Sequence, residues 1–179
     1  MKISRLATAT VTAGAIAAIA APTAVAVAPT GVGVREAKAT SFTIWHQSMA
    51  NRKYQKCLDD STPNGFRAIS CSQASYDNSY QNWIVLADNG SFQFKNVDTT
   101  RCLDGSSTYG VRTYECGPDS YNNGYQKWVE YTYNSNGTYV DWKNVATGEC
   151  LDYSATWGLR LHTCSNASFD NGYQSWRHA

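Results

Sequence analysis

Charge is sparse in this sequence and gathers nowhere. Lysine and arginine number 15 against 14 aspartate and glutamate, without a run of either sign. A basic stripe for nucleic acid is therefore missing, and so is a charged segment for a membrane surface. Histidine is scarcer still, confined to His46, His162 and His178. Zinc sites want closely spaced Cys or His pairs, so no metal centre is expected. The sequence has no G-x-S-x-G elbow, no H-E-x-x-H and no P-loop. Those absences argue against an enzyme, and no cofactor is implied. Sustained helical periodicity is lacking too, which points to an all-β chain. Beyond the N-terminal run, Leu, Ile and Val are in short supply. Trp, Tyr and Phe must furnish much of any apolar core.

The one long apolar run lies at the start. Lys2 and Arg5 precede a small-residue stretch that ends in Ala24-Val25-Ala26. That is the pattern of a secretory signal peptide, residues 1–26, cut after Ala26. Gly14 and Pro22 interrupt the run, which disfavours a membrane span. A cut after Ala39 would need an unusually long signal. Residues 27–41, "VAPTGVGVREAKATS", read as a flexible arm. The remainder, 42–179, is one domain's worth of chain, expected outside the cell.

That remainder contains three gapless blocks of like sequence. They are "KCLDDSTPNGFRAISCSQASYDNSYQNW" (56–83), "RCLDGSSTYGVRTYECGPDSYNNGYQKW" (101–128) and "ECLDYSATWGLRLHTCSNASFDNGYQSW" (149–176). The blocks are offset by 45 and then 48 residues, and 12 of their 28 columns are identical. Such a period implies one supersecondary unit packed against its own copies. The six cysteines fall in the same two columns of each block. Of the fifteen possible pairings, the repetition selects Cys57–Cys71, Cys102–Cys116 and Cys150–Cys164. "SFQFKNV" and "TYVDWKNV" alternate as strands do, and so do "FRAISC", "VRTYEC" and "LRLHTC". In the latter, Phe66, Val111 and Leu159 share a face with Ala68, Thr113 and Leu161, while Arg67, Arg112 and Arg160 take the other. "NRKYQK" (51–56) reads as a basic insertion, four residues longer than the equivalent turns.

"CLD", a Gly, a second Cys and "QxW", three times at fixed offsets, resemble the ricin B-type β-trefoil lectins and related carbohydrate-binding modules. The resemblance covers roughly residues 42–179. It implies twelve strands in three pseudo-symmetric repeats. It also implies core positions for Trp83, Trp128 and Trp176 and for Leu58, Leu103 and Leu151. In sugar-binding members the Asp of "CLD" accepts from sugar hydroxyls. An aromatic two residues before the second Cys stacks on the sugar, and an Asn before the Gln of "QxW" donates.

Carried onto this chain, Asp59, Asp104 and Asp152 match, as do Gln81, Gln126 and Gln174. The aromatic slot holds Ile69, Tyr114 and His162, and the Asn slot holds Tyr80, Tyr125 and Tyr173. Asn78, Asn123 and Asn171 lie three residues before the Gln and are alternative amides. The Arg column is expected to form bidentate pairs with the three aspartates, either orienting them for a ligand or consuming them. The best candidate site is Asp104, Tyr114 and Gln126, with Tyr109 in the adjoining loop. Next comes Asp152, His162 and Gln174, with Trp157 in the place of Tyr109. The first repeat, with Asn64 and Ile69 at those places, is expected to be inactive. Two functions follow. One is a lectin for galactose-like or xylan-like glycans. The other is a secreted protein-binding trefoil that uses the arm.

Overall fold

The computed structural model describes residues 43–177. The expected signal segment and arm lie outside them. Each repeat supplies four strands. The first contains β1 (Thr43–Gln47), β2 (Lys56–Ser61), β3 (Gly65–Ser70) and β4 (Trp83–Asp88). The second contains β5 (Ser91–Asn96), β6 (Arg101–Ser106), β7 (Gly110–Glu115) and β8 (Trp128–Tyr133). The third contains β9 (Tyr139–Asn144), β10 (Cys150–Ser154), β11 (Gly158–His162) and β12 (Trp176–Arg177). Strands β1, β4, β5, β8, β9 and β12 pair antiparallel in that order. A bridge between Asn51 and Trp176 brings the two ends of this series together. The hairpins β2–β3, β6–β7 and β10–β11 complete the repeats, and β11 packs beside β7 and β3. This is a β-trefoil of twelve strands.

The core is built from threefold sets. Leu58, Leu103 and Leu151 are fully buried, as are Trp83, Trp128 and Trp176. Each indole N–H donates to the carbonyl of the Leu in its own repeat, at 2.9, 3.1 and 2.8 Å. The tryptophans therefore bury their apolar area without stranding a polar atom. A third set, Met49, Phe94 and Trp142, occupies one column with three different side chains, all buried. Phe92 and Phe94 meet Trp142 edge-on, with centroids 4.9 and 4.8 Å away. Aromatic mass thus fills the volume that aliphatic residues do not. The three disulfides close within repeats as the spacing predicts. Each constrains a loop worth about 3 kcal/mol.

Between the second Cys and the Gln of each repeat the sequence shows no helical periodicity. The structure instead has a five-residue helix there: α1 (Gln73–Asp77), α2 (Pro118–Asn122) and α3 (Asn166–Asp170). Ser72 and Ser165 cap the first and third by accepting from the N–H of Ser75 and Ser168. The second uses Gly117 with Pro118 at its first position. One turn of helix is too short to leave a periodic signature.

Residues 51–56 are not an insertion. Asn51 occupies the place of Asn96 and Asn144, and all three are fully buried. Their side-chain amides donate to the carbonyls of Tyr173, Tyr80 and Tyr125, each at 2.9 Å. Their Oδ1 atoms accept from the N–H of Tyr54, Thr99 and Thr147 at 3.1, 3.0 and 3.1 Å. The bridges Ala50↔Cys57, Lys95↔Cys102 and Lys143↔Cys150 share one register. Lys53 and Tyr54 simply stand where the other repeats have small residues, and that hides the equivalence.

The three seams between repeats differ in chemistry. One column of the repeat holds Asp60, Gly105 and Tyr153. Asp60 is fully buried and takes both Nε and Nη2 of Arg101, with the Thr99 hydroxyl as a further donor. Gly105 abuts Asn144, and a Cβ there would come within 2.6 Å of Asn144 Cγ. Tyr153 instead packs edge-on to Tyr54, with centroids 5.5 Å apart.

Candidate functional site

In each hairpin the Asp of "CLD" lies directly across from the Arg two residues before the aromatic slot. Cross-strand partners share a face, so the side chains meet. Arg67, Arg112 and Arg160 donate through Nε to Oδ1 of Asp59, Asp104 and Asp152 at 3.1, 3.0 and 2.8 Å. The three carboxylates are at most 2% exposed, while about a third of each Arg side chain faces solvent. The expected pairs are present, but each is single-pronged. Direct opposition brings the carboxylate alongside Nε and not in front of the guanidinium end. Among the described residues the two-pronged pair is Asp60–Arg101, formed across a seam.

Aromatic rings distinguish the repeats. The Arg112 guanidinium carbon lies 4.4 Å from the Tyr109 centroid and 4.7 Å from that of Tyr114. Both rings are exposed, at 66% and 50%. Arg160 has one such neighbour, the exposed Trp157, at 5.8 Å. His162 is exposed on the same strand, and its Nδ1 accepts from the N–H of Thr163. In the first repeat Asn64 turns back to Ser61, and Ile69 is half-buried. Arg67 therefore stands there without a ring wall. Beside Tyr114 a hollow of about 320 Å³ opens, lined also by Glu115, Asp119 and Ser120. A larger cavity of about 500 Å³, lined by Leu86, Gln93, Pro118 and Tyr121, contains none of Asp104, Tyr109 or Tyr114.

Gln81, Gln126 and Gln174 lie beneath this surface, fully or almost fully buried. Each donates to the carbonyl of the residue before the second Cys, at 3.1, 2.8 and 2.9 Å. Each also accepts from the N–H of the residue after it, at 3.0, 3.2 and 3.0 Å. These amides clamp the disulfide turn and position the strand that carries the aromatic slot. Gln81 alone also reaches its Asp, at 3.4 Å to Asp59. Asn78, Asn123 and Asn171 are exposed and close the short helices at their C-caps. Asn123 Oδ1 accepts from the N–H of Tyr125 at 3.3 Å.

The third repeat holds a group that the sequence reading missed. Gln93 of β5 donates to Gln126 Oε1 at 3.2 Å. The corresponding residue of β9 is Asp141. It is fully buried, and neither carboxylate oxygen has a hydrogen-bond partner among the described residues. Burial, with a smaller contribution from the charge of Asp152, pushes its carboxyl up to about 8. Asp141 lies outside the 28-residue block, so the repeat pattern does not draw attention to it. Across the neighbouring seam, Lys53 Nζ sits 3.9 Å from the Tyr173 centroid. Hydrogen bonding between the two raises the Lys53 ammonium and lowers the Tyr173 phenol.

Three hairpins with an opposed Asp–Arg pair, a Gln clamp and a buried Trp define a β-trefoil of lectin architecture. The chain belongs to the ricin-type family: residues 45–176 match the ricin-type beta-trefoil lectin domain, a carbohydrate-binding family. No curated protein matches it. Among solved structures it is similar to cytolethal distending toxin from Actinobacillus actinomycetemcomitans, at 20% identity and TM-score 0.59 over 75% of this chain and 90% of that one. It is also similar to the designed 3-fold symmetric protein ThreeFoil, at 18% and 0.57 over 74% and 96%. A third is a Polyporus squamosus lectin bound to the epitope Neu5Acα2-6Galβ1-4GlcNAc, at 16% and 0.55 over 73% and 47%. At these identities the likeness is one of fold.

Proposed function

We propose that this chain is a secreted, non-catalytic carbohydrate-binding protein for galactose-like or xylan-like glycans. The second repeat is its principal site, the third a weaker one, and the first does not bind. The observation that carries this reading is the pair of exposed rings, Tyr109 and Tyr114, flanking Arg112. A pyranose offers one apolar face and a rim of hydroxyls, which suits a ring beside fixed polar groups. Asp104 holds Arg112 in place, Gln126 supports the strand beneath, and Asn123 stands at the exposed helix end. In the third repeat Asp152, Trp157, His162, Gln174 and Asn171 take these places around Arg160. Asp59 and Gln81 have only structural work in the ringless first repeat. Export rests on the expected signal at 1–26 and agrees with the three disulfides.

Titration calorimetry with galactosides and xylo-oligosaccharides tests the reading. Tyr114→Ala should weaken binding about tenfold or more while leaving the fold intact, because loss of one stacking partner outweighs any core effect at an exposed position. No heat from any saccharide at millimolar concentration, with a normal melting curve, refutes it. A second reading is a protein-binding trefoil. The observation in its favour is that Asp–Arg pairs cover the carboxylates in all three repeats. Under that reading Tyr114→Ala is silent, and removal of residues 27–41 abolishes capture of a secreted protein partner.

A further inference from the structure

We infer that the second-repeat site selects saccharides bearing an acidic group, a carboxylate or a sulfate, and that Arg112 is the residue that reads it. The inference rests on the carbohydrate reading of the second-repeat surface and narrows its ligand class. A neutral sugar bound through hydroxyl donors needs acceptors. Here the Asp104 side chain is 2% exposed, and Arg112 Nε already occupies its Oδ1. About a third of the Arg112 side chain, by contrast, faces solvent. Among the described residues no protein acceptor takes the Nη groups of Arg112. Arg101 provides an internal contrast. It spends both Nε and Nη2 on Asp60, as a purely structural pair does. Arg112 is braced by one bond and keeps the rest of its fork for something else.

The surroundings agree. Tyr109 and Tyr114 both lie against the guanidinium, with centroids 4.4 and 4.7 Å from its carbon, and so restrict its motion. A planar fork of donors with a fixed orientation matches a carboxylate or sulfate edge. Acceptors for a sugar's hydroxyls are offered by Glu115 and Asp119, which line the adjoining hollow together with Tyr114. Those two carboxylates repel an acidic group, so they orient the ligand with its anion towards Arg112 and its hydroxyls towards α2. Arg160, with one ring, offers a poorer version, and Arg67, with none, offers no site.

The test uses the full chain and four probes: methyl galactoside, methyl galacturonoside, the methyl ester of that uronoside, and galactose 6-sulfate. The uronoside or the sulfate should bind about tenfold more tightly than the neutral probes, the range of one charge-assisted contact at a surface. That advantage should shrink as sodium chloride is raised. Whichever acid wins identifies the anion. Arg112→Gln should erase the gap between the uronoside and its ester. Arg112→Lys keeps a cation opposite Asp104, and should retain the fold while narrowing the gap, since an ammonium lacks the fork. Equal binding of acid and neutral probes, or tighter binding of the galactoside, overturns the inference and leaves the carbohydrate reading standing. If none of the four probes binds and no neutral oligosaccharide binds either, both are removed.

Discussion

Asp141→Asn is the most informative single substitution in this molecule. In the unfolded chain this carboxyl titrates near 3.8, whereas in the folded chain it keeps its proton up to about 8. Between those values the native state binds more protons than the unfolded state. Stability therefore falls as pH rises from about 4 to about 8, and above that range the full loss remains but no longer changes with pH. At pH 7 roughly three pH units lie between the unfolded value and the solvent, which amounts to about 4 kcal/mol of lost stability. Asparagine has the same shape and no charge to suppress. The variant should gain up to about 4 kcal/mol at pH 7, or roughly 10 °C in melting temperature for a domain of this size. Near pH 4 that advantage should disappear. A buried amide brings its own cost, but that cost does not vary with pH. The diagnostic quantity is thus the slope of the difference between variant and parent, measured by calorimetric melting at intervals from pH 4 to 8. A difference that stays constant across that range would show that Asp141 is ionised or solvated in the native protein, and the reasoning would fail.

Other outcomes follow from the packing and the seams. Trp128→Ala should cost about 3–5 kcal/mol in denaturant unfolding, because the indole is fully buried and its N–H serves Leu103; an unchanged midpoint would place Trp128 outside the core. Arg101→Ala should cost about 3–5 kcal/mol, since it strands the buried Asp60 carboxylate; a loss below about 1 kcal/mol, the scale of an exposed pair, would contradict that burial. Ser79 has φ of 70°, where the other repeats place Gly124 and Gly172. Ser79→Gly should therefore raise the free energy of unfolding in denaturant by about 1 kcal/mol, the cost of a left-handed conformation for a residue with a Cβ.

The parts of the fold most legible in the sequence were those written identically three times. "CLD" and "QxW" mark a Leu and a Trp that must fill the same space in every repeat, and the Cys columns mark a closure that each repeat performs alone. Where equivalent positions carry unlike residues, legibility ended. Met49, Phe94 and Trp142 form one layer of the core, yet share neither size nor shape. Asn51, Asn96 and Asn144 are identical, but Lys53 and Tyr54 disguised the alignment around the first of them. The Asp–Arg partnership was visible because alternation puts both residues on one hairpin face, while its single-pronged geometry depends on side-chain path, which spacing does not encode. The Gln residues looked like ligand groups in the sequence. Only the structure shows both ends of each amide engaged with backbone on either side of a cystine. The unpartnered burial of Asp141 is likewise a property of tertiary packing, invisible in its own strand pattern.

The unlike seams bear on how such a chain avoids errors in its own assembly. Three near-copies in one polypeptide invite exchange: a hairpin from one molecule could in principle take the place of its homologue in another, or of the wrong copy in its own chain. The column occupied by Asp60, Gly105 and Tyr153 works against that. A second hairpin lodged in the first position offers Arg101 and Thr99 a glycine and leaves both without their acceptor. A third hairpin lodged in the second position drives a tyrosine into Asn144, where even a methyl group does not fit. Two of the three seams thus disfavour these exchanges. Cyclic order is specified by chemistry as well as by the covalent chain, so a tandem copy could diverge at its rim, one lobe acquiring rings and another losing them, without the lobes becoming interchangeable.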